Sequence, residues 1–468
     1  MIEVNFGKIL MHEPARRYKL FPMTNSNTLL PKMLLFGGPA RINLRHLQAF
    51  MVVAQTGSIT RAGEELFRVA SAVTRAIAEL ESSLGTLLFE RHARGMLLNV
   101  FGGAVQIRAQ RIEQEFDAAC HEMATFEIAG RKAGVSGVTR MQARTLMAIM
   151  FSNRRLAVFA SLSDLHNMPA VAQLFGITQP AISSLLREVE ERFGLNLFVR
   201  SVRGLTPTYA GLALAFRFKR ALSELRSIDS DLAAIGGVVQ GSVVVGALPL
   251  GRTLVLPSAI AALVRRHPKI HISTVESPYE VLAASLRSGD IDFILGALRS
   301  PQEAKDLVQE PLFDDRISLI ARAGHPLAKR TQLGYNELHS ATWVLSRPGS
   351  PLRDLFEHAF DQSGQPSPTP TVETGDLAIL RGLLLQSDML TAISAHQLHY
   401  EIESGSLVVL NFPLEKTLRQ IGITQRQSAL ASPAAKSLIM EIRDVVQRRM
   451  AGAGATVDVD DTSVGRLP

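Results

Sequence analysis

Apolar residues recur at steps of three and four positions over residues 42–128, and this spacing predicts helices. The buried face of the first helix carries Leu44, Leu47, Phe50, Met51 and Ala54. Further helices are predicted at 59–67 and about 70–83, then a short wing at 88–95 and a long amphipathic helix at 103–128. The length of this last helix suits pairing between subunits, and a solvent-facing spacer is the alternative.

The same pattern restarts after a glycine-containing linker at 129–140. A shift of 109 positions lays residues 45–102 onto 154–211 without a gap. The identical pairs are Arg45/Arg154, Leu47/Leu156, Phe50/Phe159, Ala72/Ala181, Glu79/Glu188, Glu81/Glu190, Gly85/Gly194, Leu88/Leu197, Phe89/Phe198, Arg91/Arg200, Arg94/Arg203, Gly95/Gly204 and Gly102/Gly211. These pairs fall on helix-core, turn and wing positions, so the sequence predicts an internal duplication. A second long helix is expected at about 208–235.

After Gly241 short apolar strands alternate with helices. Strands are predicted at 243–245, 271–275, 292–296, 317–321, 342–346, 369–374, 389–394, 407–412 and 420–426. Helices lie between many of them, and a closing helix is expected at about 433–450. This alternation indicates parallel sheets with right-handed crossovers. Because it occurs in two sets, we expect two α/β lobes with a cleft between them.

The positive charge is concentrated in the front half of the chain. Of the net charge of +7, residues 1–40 contribute +3, residues 41–240 contribute +6 and the remainder −2. A basic front suits a partner such as nucleic acid. Hydrophobic residues make up 46% of the chain, which is enough to bury real cores.

The cysteine content and the hydropathy of the sequence limit the cellular location and the kinds of site that we expect. Cys120 is the single cysteine, which excludes an intramolecular disulfide and a cysteine-based metal site. We expect it to be a helix residue without chemistry in a reducing cytoplasm. No apolar run reaches the ~18 residues of a membrane span, and the N-terminus lacks a clean signal peptide. A cytoplasmic protein without cofactors is expected.

Residues 176–183 combine a turn with a helix start whose polar side chains suit the major groove of DNA. Thr178 can cap this helix, and Pro180 is tolerated in its first turn. Gln179 can make a bidentate contact to adenine, and Ser183 can contact a base or a phosphate. The side facing the core is expected to carry Ala181, Ile182 and Leu186.

Further polar residues extend this predicted surface. Ser184 belongs to the same set, and Arg187 can reach phosphate or guanine. Arg200 and Arg203 in the wing are expected to bind backbone phosphate without reading sequence. Taken singly, these are ordinary helix-start and surface residues. As a set on a three-helix pattern with a wing, they predict a DNA-binding site.

The motifs of the second copy and of the rear half match a known family in combination. They are Ile177-Thr178-Gln179-Pro180-Ala181-Ile182-Ser183, Glu188-Val189-Glu190, Phe193-Gly194, Leu197-Phe198-Val199-Arg200, Leu205-Thr206-Pro207-Thr208-Tyr209-Ala210-Gly211, Arg266-His267-Pro268, Leu286-Arg287-Ser288-Gly289-Asp290-Ile291-Asp292 and Gly324-His325-Pro326-Leu327-Ala328. The assembly resembles the LysR-type transcriptional regulators over about 150–448, with 42–128 as an extra copy. The resemblance implies a winged helix-turn-helix, a dimerising linker helix and a two-lobed periplasmic-binding-protein-like domain that senses a small molecule. It also implies double-stranded DNA, a small-molecule effector and a homodimer or homotetramer as partners.

The fold class expected is α+β multidomain, with tandem winged helix-turn-helix units ahead of the two-lobed α/β effector domain. The predicted divisions are an irregular lead (1–41), a first winged helix-turn-helix (42–102), a linker helix and glycine-containing linker (103–140), a second winged helix-turn-helix (151–211), a linker or dimerisation helix (212–240), an effector-binding domain (241–450) and a disordered tail (451–468). The lead is either unstructured or upstream sequence wrongly included, and Met33 is an alternative start.

The upstream copy departs from the family pattern at the start of its third helix. Val69 and Ala70 occupy the positions of Thr178 and Gln179, so this helix loses its cap and its base-reading amide. Candidate DNA contacts that remain are Arg68, Ser71, Thr74, Arg75, Arg91 and Arg94. We interpret the second copy as the specific reader. The first would add phosphate contacts, a different sequence preference or only dimer surface.

Two loops are candidates for the effector cleft, because ligands of bilobal α/β domains meet loops after strands and helix N-termini. The candidates are Leu248, Arg252 and Thr253 in one loop and Ser346, Arg347 and Ser350 in the other. Thr253 and Ser350 offer hydroxyls, and the arginines can pair with an anion. Ordinary caps and surface arginines are the alternative interpretation.

Two other classes of function compete with a ligand-responsive regulator. An enzyme on the α/β lobes is disfavoured, since the sequence has no phosphate loop, no cysteine nucleophile and no evident metal cluster. A solute-binding protein of transport would need an export signal. The alternative function is thus a small-molecule-binding α/β protein, solute-binding or enzymatic, with helical oligomerisation segments.

Overall fold

The structure, a computed structural model, describes residues 42–92, 95–130, 148–201 and 204–454. The predicted lead at 1–41, the linker from residue 131 and the tail beyond residue 454 lie outside these ranges. Within them, no helix combines the length and the apolar composition that crossing a membrane requires.

The upstream unit is a set of three short helices with a two-stranded wing. Its elements are α1 (Leu44–Thr56), α2 (Ile59–Leu66), α3 (Ala70–Leu84), β1 (Phe89–His92), β2 (Gly95–Leu98) and the long helix α4 (Val100–Gly130). Asn43 and Ser58 cap α1 and α2, because their side chains accept hydrogen bonds from backbone N–H groups of the first turn. Gly57 closes α1 in the left-handed region, at φ 65°.

The downstream unit repeats this arrangement. Its elements are α5 (Asn153–Leu165), α6 (Met168–Phe175), α7 (Gln179–Phe193), β3 (Phe198–Ser201), β4 (Gly204–Pro207) and the long helix α8 (Tyr209–Ile235). Ser152, Asn167 and Thr178 cap the three short helices with their side chains. The two units thus share the same order of elements at the same spacing.

Residues that are identical in the two copies make the same contacts. The Glu81 carboxylate accepts two backbone N–H groups of its wing at 2.8 and 3.4 Å, and Glu190 does the same at 2.8 and 3.1 Å. A Cβ on Gly102 or Gly211 would lie 2.1 or 2.0 Å from a carbonyl oxygen at the wing entry. These identities are therefore explained by wing anchoring and by the close approach of the long helix.

The long helices α4 and α8 lie against each other inside the chain. Arg108 of α4 pairs with Glu224 of α8, and Arg217 of α8 pairs with Glu115 of α4, so the helices run antiparallel. Phe116 adds an edge-on contact with Phe151, just ahead of the downstream unit, at 5.2 Å between ring centroids. The pairing of long helices, which was expected between subunits, is therefore formed within a single chain, between the upstream and the downstream copy.

The rear half contains two five-stranded sheets, one in each lobe. In lobe 1 the strand order is β6 (Ile270–Val275), β5 (Gly241–Ala247), β7 (Phe293–Ala297), β14 (Arg419–Arg426) and β8 (Leu307–Asp315). In lobe 2 the order is β11 (Val372–Glu373), β10 (Thr342–Leu345), β12 (Met389–Ser394), β9 (Ile317–Arg322) and β13 (Leu407–Val409). The two predicted lobes are therefore present.

Helices cover these sheets and bury an apolar core in each lobe. They are α9 (Pro249–Thr253), α10 (Val255–Arg266), α11 (Tyr279–Ser288), α12 (Tyr335–Ser340), α13 (Pro351–Gln362), α14 (Leu377–Gln386), α15 (His399–Glu403) and α16 (Pro433–Gly454). Short 3₁₀ turns lie at Pro326–Lys329 and Ala395–Leu398. The closing helix α16 continues to Gly454, beyond the predicted end at 450.

The expectation of parallel sheets was wrong in part. β5 pairs in parallel with β6 and β7, but β14 is antiparallel to β7 and β8. In lobe 2, β9 is antiparallel to both its neighbours. The reason is that the chain passes between the lobes twice, after β8 and again before β14, so the returning strands enter from the opposite end.

Buried polar contacts fix the point where the chain crosses between the lobes. The Asp315 carboxylate, at the end of β8, accepts hydrogen bonds from Ser394 Oγ at 2.5 Å and from Arg419 Nε at 2.9 Å. These three residues belong to β8, β12 and β14 and thus join both sheets. The crossing is therefore a defined polar junction between the two sheets.

Candidate DNA-binding interface and effector cleft

Helix α7 begins with the residues predicted to read DNA. The Thr178 hydroxyl accepts the backbone N–H of Ala181 at 3.4 Å and so caps the helix, as predicted. Pro180 occupies the first turn without the loss of an intrahelical bond. Gly176, at φ 61°, makes the turn from α6. The predicted cap, proline and turn are confirmed.

One face of α7 is buried and the other faces solvent. Ile182, Leu186, Val189 and Phe193 form the buried face. The exposed face carries Gln179, Pro180, Ala181, Ser184 and Arg187. The expectation that Ala181 faces the core was wrong, since a residue of the first turn projects beyond the core. The helix therefore offers a slim polar edge to a partner.

Ser183 differs from the other predicted contacts. It is half-buried, and its hydroxyl lies 3.6 Å from Met168 Sδ on α6. A thioether sulfur is a weak acceptor, so the hydroxyl is turned toward the protein rather than outward. The sequence pattern could not reveal this, because the choice depends on the side chain of the preceding helix.

The start of α3 carries no side-chain cap at Val69, as predicted. Arg68, Ser71, Thr74 and Arg75 are all exposed. The Thr74 hydroxyl donates to the carbonyl of Ala70 at 3.0 Å, and Arg75 pairs with Glu79 at 2.8 Å. These two residues therefore have partners within their own helix.

The turn before α3 exposes apolar side chains that sequence reasoning missed. Phe67 is 94% exposed at φ 54°, and Val69 is 70% exposed. The signal available in the sequence was the apolar pair placed where the downstream copy has Gly176 and Thr178. Phe67 thus combines an exposed phenyl ring with a left-handed backbone conformation that residues other than glycine rarely adopt.

The wings provide fewer described contacts than expected. Arg200 is exposed on β3. The side chain of Arg91 and the whole of Arg94 and Arg203, at the wing tips, lie outside the described residues. Where the structure describes the chain, His, Cys, Asp and Glu form no group suited to hold a metal ion.

The first candidate effector loop lies in lobe 1, after β5. Leu248 is only 7% exposed and packs close to Gly296, so its side chain supports the loop rather than lines a cleft. Arg252 is exposed. The Thr253 hydroxyl lies 3.3 Å from the carbonyl of Leu250 and 3.4 Å from that of His396 in lobe 2. Thr253 therefore lies where the two lobes meet.

The second candidate loop lies in lobe 2, between β10 and α13. The Ser350 side chain caps α13 and donates to Ser346 Oγ at 3.0 Å. Arg347 is exposed, whereas Arg353 is buried and binds Glu357 at 2.5 Å. The loop thus combines a helix N-terminus with two hydroxyls and an exposed cationic side chain.

Cys120 has the inert surroundings expected of it. It is buried in α4, and burial, with a smaller effect from Asp117, raises the pKa of its thiol to about 11. A thiol with that pKa carries little thiolate at neutral pH.

Comparison with known protein families finds matches over most of the chain. The family described as "Bacterial regulatory helix-turn-helix protein, lysR family" matches residues 44–102 and again residues 153–212. The family described as "LysR substrate binding domain" matches residues 236–447. The chain belongs to the LysR family of transcriptional regulators. The double match of the helix-turn-helix confirms the predicted duplication in this LysR-family protein.

Individual relatives agree with this assignment. The HTH-type transcriptional regulator GalR of Pseudomonas putida is 47% identical over 404 residues, 86% of this chain and 97% of the relative. An alignment of that length cannot fit downstream of the linker, so it reaches into the upstream unit. The regulator GbpR of Azospirillum brasilense is 26% identical over 312 residues, 66% of this chain and 91% of the relative. These relatives bear the names of regulators, which confirms a regulator rather than an enzyme.

A similar solved structure is the crystal structure of CbnR, a LysR family transcriptional regulator. It is 17% identical, with a TM-score of 0.44, and the match covers 63% of this chain and 99% of that one.

Proposed function

We propose that this LysR-family regulator binds specific sites on double-stranded DNA with α7 as its base-reading helix, and that a small molecule bound between the lobes controls this binding. The observation that carries the proposal is the exposed Gln179 at the capped start of a helix whose opposite face is buried. Such a helix can enter the major groove with its first turn leading.

The side chains of α7 divide into base-reading and positioning roles. The Gln179 amide can donate to adenine N7 and accept from its N6 amino group, a discrimination of about 1–3 kcal/mol. Arg187 lies on the same face two turns later and can reach phosphate or guanine, and Ser184 lies beside it. Arg200 and Arg203 bind backbone phosphate from the wing. Thr178 and Pro180 set the helix start, and Ser183 has the least direct access.

The upstream unit contributes phosphate contacts that position the protein, and its helix α3 offers a second exposed face to DNA. Arg68 and Arg75 can bind phosphate, and Ser71 and Thr74 lie on the exposed face of α3. Arg91 and Arg94 would act from its wing as Arg200 and Arg203 do from the other. Phosphate contacts of this kind fix register on the duplex without reading sequence.

The effector proposal rests on the loop before α13. The helix N-terminus, the Ser346 and Ser350 hydroxyls and the exposed Arg347 together suit an anionic group. Arg252 and Thr253 provide polar atoms from lobe 1, above the supporting Leu248. A direct measurement is operator affinity, by fluorescence anisotropy, in the presence of a panel of small organic carboxylates. No response by the wild-type protein to any of them would count against an anionic effector.

A path from the cleft to the DNA-binding units runs through α8. Lys219 on α8 bonds to Asp290 of lobe 1 at 2.8 Å, and Arg220 donates to the carbonyl of Arg287 at 2.6 Å. Lobe 1 is thus fixed to the helix that carries the downstream unit. A change in the angle between the lobes would be transmitted to α8 and α7.

The substitution Gln179→Ala tests whether α7 is the base-reading helix. It should weaken binding to a selected operator by about 1–3 kcal/mol and relax base preference at one position. Gln302→Ala, at an exposed glutamine of lobe 1, is the matched control and should bind as the wild type does. Unchanged affinity and preference of Gln179→Ala in a quantitative footprinting titration would refute the assignment.

A further inference from the structure

We infer that a single chain carries both heads of an operator-binding pair, and that these heads read two unlike half-sites. The inference rests on the DNA-binding function proposed above. Two independent observations support it. One is the reciprocal pairing of α4 with α8, and the other is the difference between the exposed surfaces of α3 and α7.

The ion pairs between α4 and α8 form two equivalent sets, one with the arginine on α4 and one with the arginine on α8. In each set an arginine of one helix binds two carboxylates of the other: Arg108 binds Glu224 and Asp231, and Arg217 binds Glu115 and Glu122. The distances are 2.6 and 2.6 Å in the first set and 2.9 and 3.1 Å in the second. A shift of 109 positions converts every member of the first set into a member of the second.

A third ion pair also has its equivalent under the shift of 109 positions. Arg111 pairs with Glu224 at 2.8 Å, and Arg220 lies 3.8 Å from Glu115. Reciprocal contacts between equivalent positions are the signature of a two-fold interface, in which residue i contacts j and j contacts i. The two copies are therefore related by a pseudo-two-fold axis that passes between α4 and α8.

The contact between the two first helices lies at this axis. The backbone N–H of Leu44 donates to Asn153 Oδ1 at 2.9 Å, and Leu44 and Asn153 are themselves equivalent under the shift of 109. Asn153 Nδ2 also donates to the carbonyl of Ile42 at 2.7 Å. A residue that contacts its own equivalent must lie beside the axis. The pseudo-symmetry thus extends from the long helices into the winged units.

This intramolecular pairing occupies the surface that would join two chains. Arg108 and Glu224 are both buried, as are Phe116 and Leu225 on the facing helices. Any association between chains must therefore use other surfaces. One chain already supplies two winged units together with one effector domain.

The two heads differ in the chemistry of their exposed edges. α7 presents the Gln179 amide, which pairs with adenine. α3 presents Ala70 in its place, next to the exposed Phe67 and Val69 and the Thr74 methyl group. Apolar groups of this kind contact the thymine methyl in the major groove. The two half-sites should therefore differ in sequence, although the heads meet the duplex in a two-fold manner.

The experiment is selection of binding sites from random duplexes with three full-length proteins: the wild type, Gln179→Ala and the triple variant V69T/A70Q/S71P. The triple variant gives the upstream helix the start of the downstream one. The backbone is suited to it, because Val69 and Thr178 both have extended conformations before their helices. Far-UV circular dichroism checks that each variant remains folded.

The wild type should select two unlike half-sites. Gln179→Ala should lower base preference roughly 5- to 150-fold in one half only, and the triple variant should make the other half resemble the first. If Gln179→Ala weakens both halves alike, each half is read by α7 from a separate chain. That result would overturn the inference, while the assignment of α7 as the base-reading helix would remain supported. If it changes neither half, the reader assignment itself fails.

Discussion

Arg108 is the most deeply buried charge of the α4–α8 pairing, and its replacement by Met gives a quantitative test of that pairing. The side chain is 1% exposed. Its guanidinium bonds to Glu224 and Asp231, each at 2.6 Å, and to the carbonyl of Leu430 at 2.7 Å. Loss of one partner of a buried ion pair destabilises by about 3–5 kcal/mol, since a charge remains buried without compensation.

The loss for Arg108→Met should lie near the lower end of this range, at about 3 kcal/mol. Glu224 retains Arg111 at 2.8 Å, and Asp231 is 19% exposed and can regain water. The matched control is Arg217→Met, at the equivalent position. Arg217 is 18% exposed and its carboxylates are also partly exposed, so this loss should be about 1–2 kcal/mol.

Urea unfolding followed by far-UV circular dichroism measures both variants. Fluorescence of Trp343, the single tryptophan, reports lobe 2 separately and should show an unchanged transition for each. A neutral Arg108→Met, or one no more destabilising than Arg217→Met, would show that the buried ion pairs of Arg108 do not stabilise the α4–α8 pairing.

Two further predictions concern α3, α7 and Cys120. Val69→Thr should add the missing cap and stabilise the upstream unit by about 1 kcal/mol, and Thr178→Val should destabilise the downstream unit by a similar amount. Urea midpoints measure both, and shifts of the opposite sign would contradict the capping argument. Because burial raises the pKa of Cys120 to about 11, native protein at pH 8 should react slowly with iodoacetamide, at a rate that rises with pH. Fast alkylation of the native protein would mean that α4 and α8 separate readily.

The duplication could be predicted from the sequence because local features carry it. Caps, turn glycines and wing anchors such as Glu81 and Glu190 recur at a fixed offset, and each acts within a few residues of its position in the chain. The same offset continues beyond the predicted repeat, through Arg108/Arg217 and Glu115/Glu224. These identities show that the repeat extends into the long helices, but which residues of α4 and α8 contact each other follows from the structure and not from the offset.

Features that depend on the path of the chain between elements could not be predicted. Strand β8 was not predicted because buried and exposed residues do not alternate regularly along it. The antiparallel entry of β14 follows from the second crossing between the lobes, which periodicity does not encode. The inward turn of Ser183 depends on Met168 of another helix, and the burial of Leu248 on Gly296. Local patterns therefore located the candidate sites, but the direction of individual side chains required the packed structure.

The proposal that α7 directs this LysR-family protein to specific DNA sites can be tested in cells. Its most direct test is to map the sites occupied in cells by the wild-type protein and by Gln179→Ala, expressed at equal levels. The wild-type protein should occupy discrete sites that share one motif, and the variant should lose or redistribute this occupancy. Identical maps for the two proteins, or binding without a shared motif, would contradict it.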